Sequence, residues 1–259
     1  MQFSIFSSQF SLRTSKIRMA GVLSVLAILA IINTPSLDIV LRLVLIISSI
    51  LLLEFVFWKV RGITPFLPSA GVVTGLIIFL LASPEAPLAY VLTAVFAAVG
   101  IKQFLRPANN HIFNPAASGL LIGGMAGLPI TWWGVGWGNV PLLVIILGTG
   151  FVSLFTIRQH KIIFSFLITS LIVSTFYLGS FEQSVNQLLV GSFWFFALVM
   201  LPEPMTAAKL PLSRLAYGTL VAILPFFLAN FTLAIVDPLL ASLLIGNAIS
   251  RLTDKWNQT

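Results

Sequence analysis

Apolar runs of bilayer-spanning length follow one another through this chain with only short polar breaks, and no other feature narrows its fold so far. A spanning helix takes about 20 predominantly apolar residues. Such runs lie near 17–33, 38–58, 64–82, 87–104, 112–128, 138–157, 161–179, 184–202, 213–231 and 234–251. The breaks hold Pro, Gly and charged residues, the usual punctuation between helices. Of the 259 residues, 8% are charged and 58% hydrophobic, whereas a soluble domain carries roughly 25% charged residues. The expected fold is all-α and integral to the membrane, with about ten transmembrane helices in a single membrane domain, 1–259, and no separate soluble domain.

Positive charge falls in alternate loops. Arg13, Lys16 and Arg18 precede the first run. Lys59 and Arg61, Lys102 and Arg106, Arg158 and Lys161, Lys209 and Arg214, and Arg251 and Lys255 mark the ends of the even-numbered ones. The opposite loops hold Asp38, Glu85, Glu182 and Asp237; among the 14 Lys and Arg residues only Arg42 lies on that side. Basic loops face the cytoplasm, so both termini are expected there. A miscounted span would scramble the alternation, which therefore supports ten. The net charge of +7 is an orientation signal rather than a nucleic-acid patch. Arg42 stands four residues after Asp38, the spacing of a helical ion pair, although snorkelling to the interface is the simpler reading. The first run ends in Asn33-Thr34-Pro35-Ser36 without a small-x-small cleavage site, so it reads as a retained helix rather than a signal peptide.

Landmarks recur about 120 residues apart. Ser83-Pro84-Glu85-Ala86-Pro87 is echoed by Leu201-Pro202-Glu203-Pro204. Asn114-Pro115-Ala116-Ala117-Ser118 is echoed by Asp237-Pro238-Leu239-Leu240-Ala241-Ser242. Five spans per half, an odd number, would insert the second half upside down, giving repeat 1 over about 17–128 and repeat 2 over about 138–251. Inverted repeats place a site where their broken helices meet.

The chain has no cysteine and two histidines, His111 and His160. It can hold neither a cysteine-ligated iron–sulfur cluster nor a structural zinc site by itself, and no metal site is expected. Intramembrane charges are costly and usually functional. Glu54 is expected to reach toward Lys59 or Arg61. Asp237 is expected to cap a helix, while Glu85 and Glu203 either cap or attract a cation. His111-Ile112-Phe113-Asn114-Pro115 follows a loop with Lys102, Arg106, Asn109 and Asn110, a donor cluster suited to an anionic ligand or to lipid headgroups. Thr131-Trp132-Trp133 and Trp137 read as an interfacial aromatic belt, with a stacking platform for flavin or quinone as the alternative.

Five stretches, taken together, resemble the RnfD/NqrB family, membrane subunits of the Rnf electron-transport complex and of the sodium-pumping NADH:quinone oxidoreductase. They are Val73-Thr74-Gly75-Leu76 leading to Pro84; Lys102 through His111-Ile112-Phe113-Asn114-Pro115-Ala116-Ala117; Met200-Leu201-Pro202-Glu203-Pro204-Met205-Thr206-Ala207; Ser213-Arg214-Leu215-Ala216-Tyr217-Gly218; and Asn247-Ala248 through Asp254. The resemblance implies a ten-span inverted-repeat fold similar to that of urea transporters, in a prokaryotic plasma membrane. It also implies a subunit of an ion-translocating electron-transport complex, moving Na⁺ or H⁺ and linked to flavin or quinone. Other membrane subunits would supply the iron–sulfur centres. On this basis Thr74, Gly75, Asn114, Pro115, Glu203 and Thr206, with Lys102 and His111 at the cytoplasmic rim, form the expected cofactor-binding cluster; no catalytic residue is assigned.

Two departures limit the transfer. Members with covalent flavin mononucleotide carry Ser-Gly-Ala-Thr in the outer loop after the fifth span. Here that loop, about Pro129 to Asn139, lacks it. No covalent flavin is expected, and any FMN or riboflavin would be held non-covalently. Arg106-Pro107-Ala108 replaces the family's Gly-Gly, which weakens a quinone site. The competing reading is a small-solute channel or transporter on the same fold, because fold does not fix function.

Overall fold

The computed structural model describes residues 2–62, 69–106, 111–152, 154, 159–230 and 237–256. Thr64-Pro65-Phe66-Leu67-Pro68, Asn109, Asn110 and Arg158 lie outside the described residues. The described residues are mainly helical: α1 Gln2–Asn33, α2 Leu37–Val60, α3 Ser69–Leu81, α4 Leu88–Phe104, α5 Pro115–Met125, α6 Asn139–Val144, α7 His160–Leu178, α8 Phe181–Leu188, α9 Gly191–Phe195, α10 Pro211–Leu228 and α11 Pro238–Trp256. α6 and α9 continue into π-helical turns, Ile145–Thr149 and Phe196–Met200. Among the described residues there is no strand; the β contact is one isolated bridge, Ala82 to Ile130.

Local chemistry sets the helix ends. Pro35 stops α1, and the Thr34 hydroxyl donates to the Ala30 carbonyl at 2.9 Å. The Ser36 hydroxyl accepts from the Asp38 N–H, opening α2. Arg42 pairs with Asp38 at 2.8 Å and also donates to the Ala86 carbonyl in the turn after α3. Its side chain is only 14% exposed, so it tethers α2 to that turn rather than snorkelling.

Helices occupy each of the ten predicted runs, but their lengths differ. Ser15–Asn33, Leu37–Val60, His160–Leu178 and Pro211–Leu228 are long and apolar enough to cross a bilayer alone. α3, α4 and α5 are shorter, and the predicted span 184–202 is broken: α8 meets α9 at a 65° bend. Glu182, Gln183, Asn186 and Gln187 of α8 are exposed, a polar face that cannot continue into lipid. Gly191 opens α9 against Val135, whose carbonyl oxygen any Cβ would strike. The molecule is a multi-pass membrane protein, with Phe176, Leu147 and Leu52 on its exposed exterior.

Small residues let the helices touch. α5 packs on α4, and α10 on α7. A Cβ on Gly119 would strike the Ala94 carbonyl, and one on Gly218 the Ser165 hydroxyl and Ile162 carbonyl. Without a hydrophobic drive between helices in lipid, such close backbone approach is what holds them together. The loop after α5 returns to the end of α3. The Thr131 and Trp132 N–H groups donate to the Leu81 carbonyl, Gly134 to Leu80, and Ser83 to the Pro129 carbonyl. These bonds satisfy carbonyls that the end of α3 would otherwise leave bare.

Candidate functional site

The start of α5 meets the turn after α9 at one end of the bundle. Asn114 is the N-cap of α5: its side-chain oxygen accepts from the Ala117 N–H at 3.0 Å, and Pro115 takes the position where no N–H is needed. The Asn114 N–H donates to the Asn247 side chain of α11 at 3.0 Å. Asn247, fully buried, also donates to the Tyr217 hydroxyl at 2.8 Å and, at 3.4 Å, to the Thr206 carbonyl. One amide thus joins α5, α10, α11 and the turn after α9. Neither Asn247 nor Tyr217 is among the site residues expected from sequence; the available signal is an amide alone in an apolar helix, which costs free energy unless satisfied.

The ionisable groups converge here. Glu203 holds its carboxylate between two partners: His111 Nε2 at 3.2 Å from Oε1, and the Thr206 hydroxyl donating to Oε2 at 3.1 Å. Lys16 of α1 lies within electrostatic reach of Glu203 and of Lys102. Glu54 of α2 is 2% exposed and accepts from Lys102 of α4, not from Lys59 or Arg61 as expected. Gly71 of α3 makes room, since a Cβ there would come within 2.7 Å of the Glu54 carboxylate. Arg61 instead bonds the Gln103 side chain and carbonyl at the end of α4.

Lys16, Thr74, Asn114, Pro115 and Glu203 line a cavity of about 70 Å³. Of the predicted cluster, Thr74, Asn114, Pro115 and Glu203 therefore meet, and His111 and Thr206 position Glu203. Lys102 is turned to Glu54. Gly75 faces α2, where a Cβ would strike Ile47, so it serves packing. Lys16 is more than the orientation charge its place in the sequence suggests. Among the described residues no three His, Cys, Asp or Glu side chains gather to hold a metal.

The start of α11 is the counterpart. Asp237 caps it, as expected, accepting from the Leu239 and Leu240 N–H groups at 2.9 and 3.1 Å. Its other oxygen accepts from the Trp132 indole at 2.7 Å. Trp132 is 8% exposed, adopts a positive φ of 54°, and meets Phe195 and Phe196 edge-on. Trp133 donates to the Phe79 carbonyl at 2.8 Å. These two tryptophans point into the protein and are not the lipid-facing belt expected from sequence. Beside Asp237 lies a cavity of about 430 Å³, lined largely by apolar residues including Phe166, Phe193 and Phe226. Glu85 is exposed on a turn, where its N–H bonds Ser83.

The sequence model of the NQR2, RnfD, RnfE family matches residues 125–259, just over half of the 259 residues. Glu203, Thr206, Asp237, Asn247 and Trp132 fall inside the match; Thr74, Lys102, His111 and Asn114 precede it. No curated protein matches the chain.

Proposed function

The chain belongs to the NQR2, RnfD, RnfE family and is a membrane subunit of an Rnf/Nqr-type electron-transport complex, and we propose that its own task is to move a small cation through the Glu203 cluster as its partners pass electrons. The observation that supports this most is the convergence of Lys16, His111, Glu203 and the Glu54–Lys102 pair where α5 meets the turn after α9. Buried charges in a lipid-embedded protein mark ion paths by default. Further parts of the reading are ten crossings and two inverted halves. Both termini and the basic loops face the cytoplasm of a prokaryotic plasma membrane.

The flavin implied by the family resemblance does not fit among these residues. About 70 Å³ is less than half the cavity of about 150 Å³ that encloses one benzene, and a flavin has three fused rings. The cluster is therefore assigned to ion movement, with no electron step through a flavin or quinone held there. The outer cavity of about 430 Å³ has the room and apolar lining for a planar ring or a solute, and keeps the solute-channel reading as the second one.

Purification through a tag on this chain in mild detergent tests the proposal. Redox-active partner subunits should co-purify. In proteoliposomes the complex should generate a membrane potential on reduction, with Glu203→Gln lowering its rate at least tenfold and Glu85→Gln leaving it unchanged. A chain that purifies alone, colourless, and speeds solute flux would overturn it.

A further inference from the structure

We propose that the cavity beside Asp237 is a binding site for a small organic cation, an ammonium group carried on an apolar body of about two aromatic rings. The site is separate from the Glu203 cluster and does not rest on the ion-moving reading above.

The cavity of about 430 Å³ is walled by α7, α8, α9, α10 and the start of α11. About 150 Å³ encloses one benzene, so there is room for roughly two rings and a short polar arm. Four aromatic side chains stand in its wall. Phe166 stacks on Phe193 with centroids 5.3 Å apart, and Tyr177 meets Phe226 at 5.5 Å. The faces of such rings are the negative part of their quadrupole and attract cations, most strongly where water is displaced.

One polar group inside has nothing to bond. Ser165, Ser174 and Thr175 of α7 give their hydroxyls to carbonyls of their own helix, and Thr169 gives its hydroxyl to Thr219 of α10. Ser170, 3% exposed, lines the cavity and has no hydrogen-bond partner among the described residues. A buried hydroxyl in that state costs free energy until a water or a ligand completes it.

The field around the cavity selects the charge of the ligand. Asp237 is the one ionised side chain in the wall among the described residues, with no Lys, Arg or His beside it. Its carboxylate accepts from the first N–H groups of α11 and so offsets the positive end of that helix. The negative ends of two long helices remain: Tyr177 stands next to the last residue of α7, and Phe226 lies in the last turn of α10. Each such end is equivalent to about half a negative charge. Pro225, also in the wall, has no N–H to give the Val221 carbonyl. An anion would find no positive partner here. A hard metal cation takes about six oxygens or more, and this wall is largely apolar, with no gathering of three acidic or histidine side chains among the described residues. An ammonium on an apolar body uses every feature: the rings, the negative field and the Ser170 oxygen as acceptor for its N–H. Residues 231–236, outside the described residues, supply none of these groups.

Equilibrium binding to the purified full chain in nanodiscs of zwitterionic lipid, with empty discs subtracted, tests this. Three naphthyl probes differ in a single group: naphthylethylammonium, naphthylethanol and naphthylacetate. The ammonium should bind about tenfold tighter than the alcohol, and the acetate weakest of all. Asp237→Asn, which keeps an oxygen for the helix cap, should erase the preference for ammonium over alcohol. Ser170→Ala should weaken the ammonium about fivefold. Ala222→Phe puts a ring into the cavity from α10; it should abolish binding of every probe, and it serves if Asp237→Asn does not fold. Equal affinity for ammonium and alcohol overturns the proposal, as do binding that Ala222→Phe leaves intact and no binding at all. Loss of the ammonium when sodium replaces potassium at constant ionic strength would make this an inorganic-cation site and overturn it too. An unaffected Ser170→Ala overturns the part given to that hydroxyl.

Discussion

The starts of α5 and α11 share one local grammar and lead to different surroundings. Each opens with a capping side chain followed by proline, Asn114-Pro115 and Asp237-Pro238, and each cap bonds an N–H in the first turn. What reaches across from distant segments differs. Over Asn114 come Asn247, the Glu203 turn and Lys16, around a smaller space of about 70 Å³. Over Asp237 comes Trp132, beside about 430 Å³ of largely apolar space. The helix start is a local matter; the chemistry around it is supplied by distant segments.

The comparison breaks most severely at the packing that seats each helix. Gly119→Ala drives a methyl into the Ala94 carbonyl, backbone that cannot yield, and should cost about 3 kcal/mol or more, at the upper end of overpacking penalties. A sharply lowered midpoint in thermal size-exclusion assays would show it. Gly246→Ala in α11 first meets the Val221 and Tyr217 side chains, not backbone, and should cost less than Gly119→Ala. Next comes Asp237→Ala, which loses a charged cap and leaves the Trp132 indole N–H buried without an acceptor. About 2–3 kcal/mol is expected, with a changed tryptophan emission spectrum; Asp237→Asn should recover most of it. Asn114→Ala loses a neutral cap and should cost about 1 kcal/mol, restored by Asn114→Ser, while the Asn247 acceptor keeps its backbone donor. Smallest is Glu85→Ala, exposed, which should stay within about 0.5 kcal/mol of the parent protein. Equal losses at Asn114 and Asp237 would show that the cross-contacts add nothing to the caps.

Much of the helical layout is legible in the sequence because apolar run length and prolines act locally. The Asp237 cap is readable for the same reason. Glu54 shows where such reading stops: spacing along the chain offers Lys59 and Arg61, but folding presents Lys102, 48 residues away, across Gly71. Trp132 and Trp133 mislead similarly. A tryptophan pair in an outer loop looks interfacial until the loop is known to fold back on the end of α3. The break between α8 and α9 is hidden by the apolar run on its far side, although the polar face of α8 is visible in Glu182, Gln183, Asn186 and Gln187. Of the cluster, Glu203, His111, Asn114 and Thr74 stand out in the sequence, whereas Lys16 and Asn247 depend on long-range contact.

The Asn114–Asn247 bond spans 133 residues, and that separation has a meaning in time. At about 5–20 residues per second, the ribosome is still at work for many seconds after Asn114 has emerged. Through that interval the amide that knits the site together has not been made. A half-synthesised subunit thus sits in the bilayer with its ionisable groups unassembled, and the buried cluster around Asn114 is completed only near the end of translation.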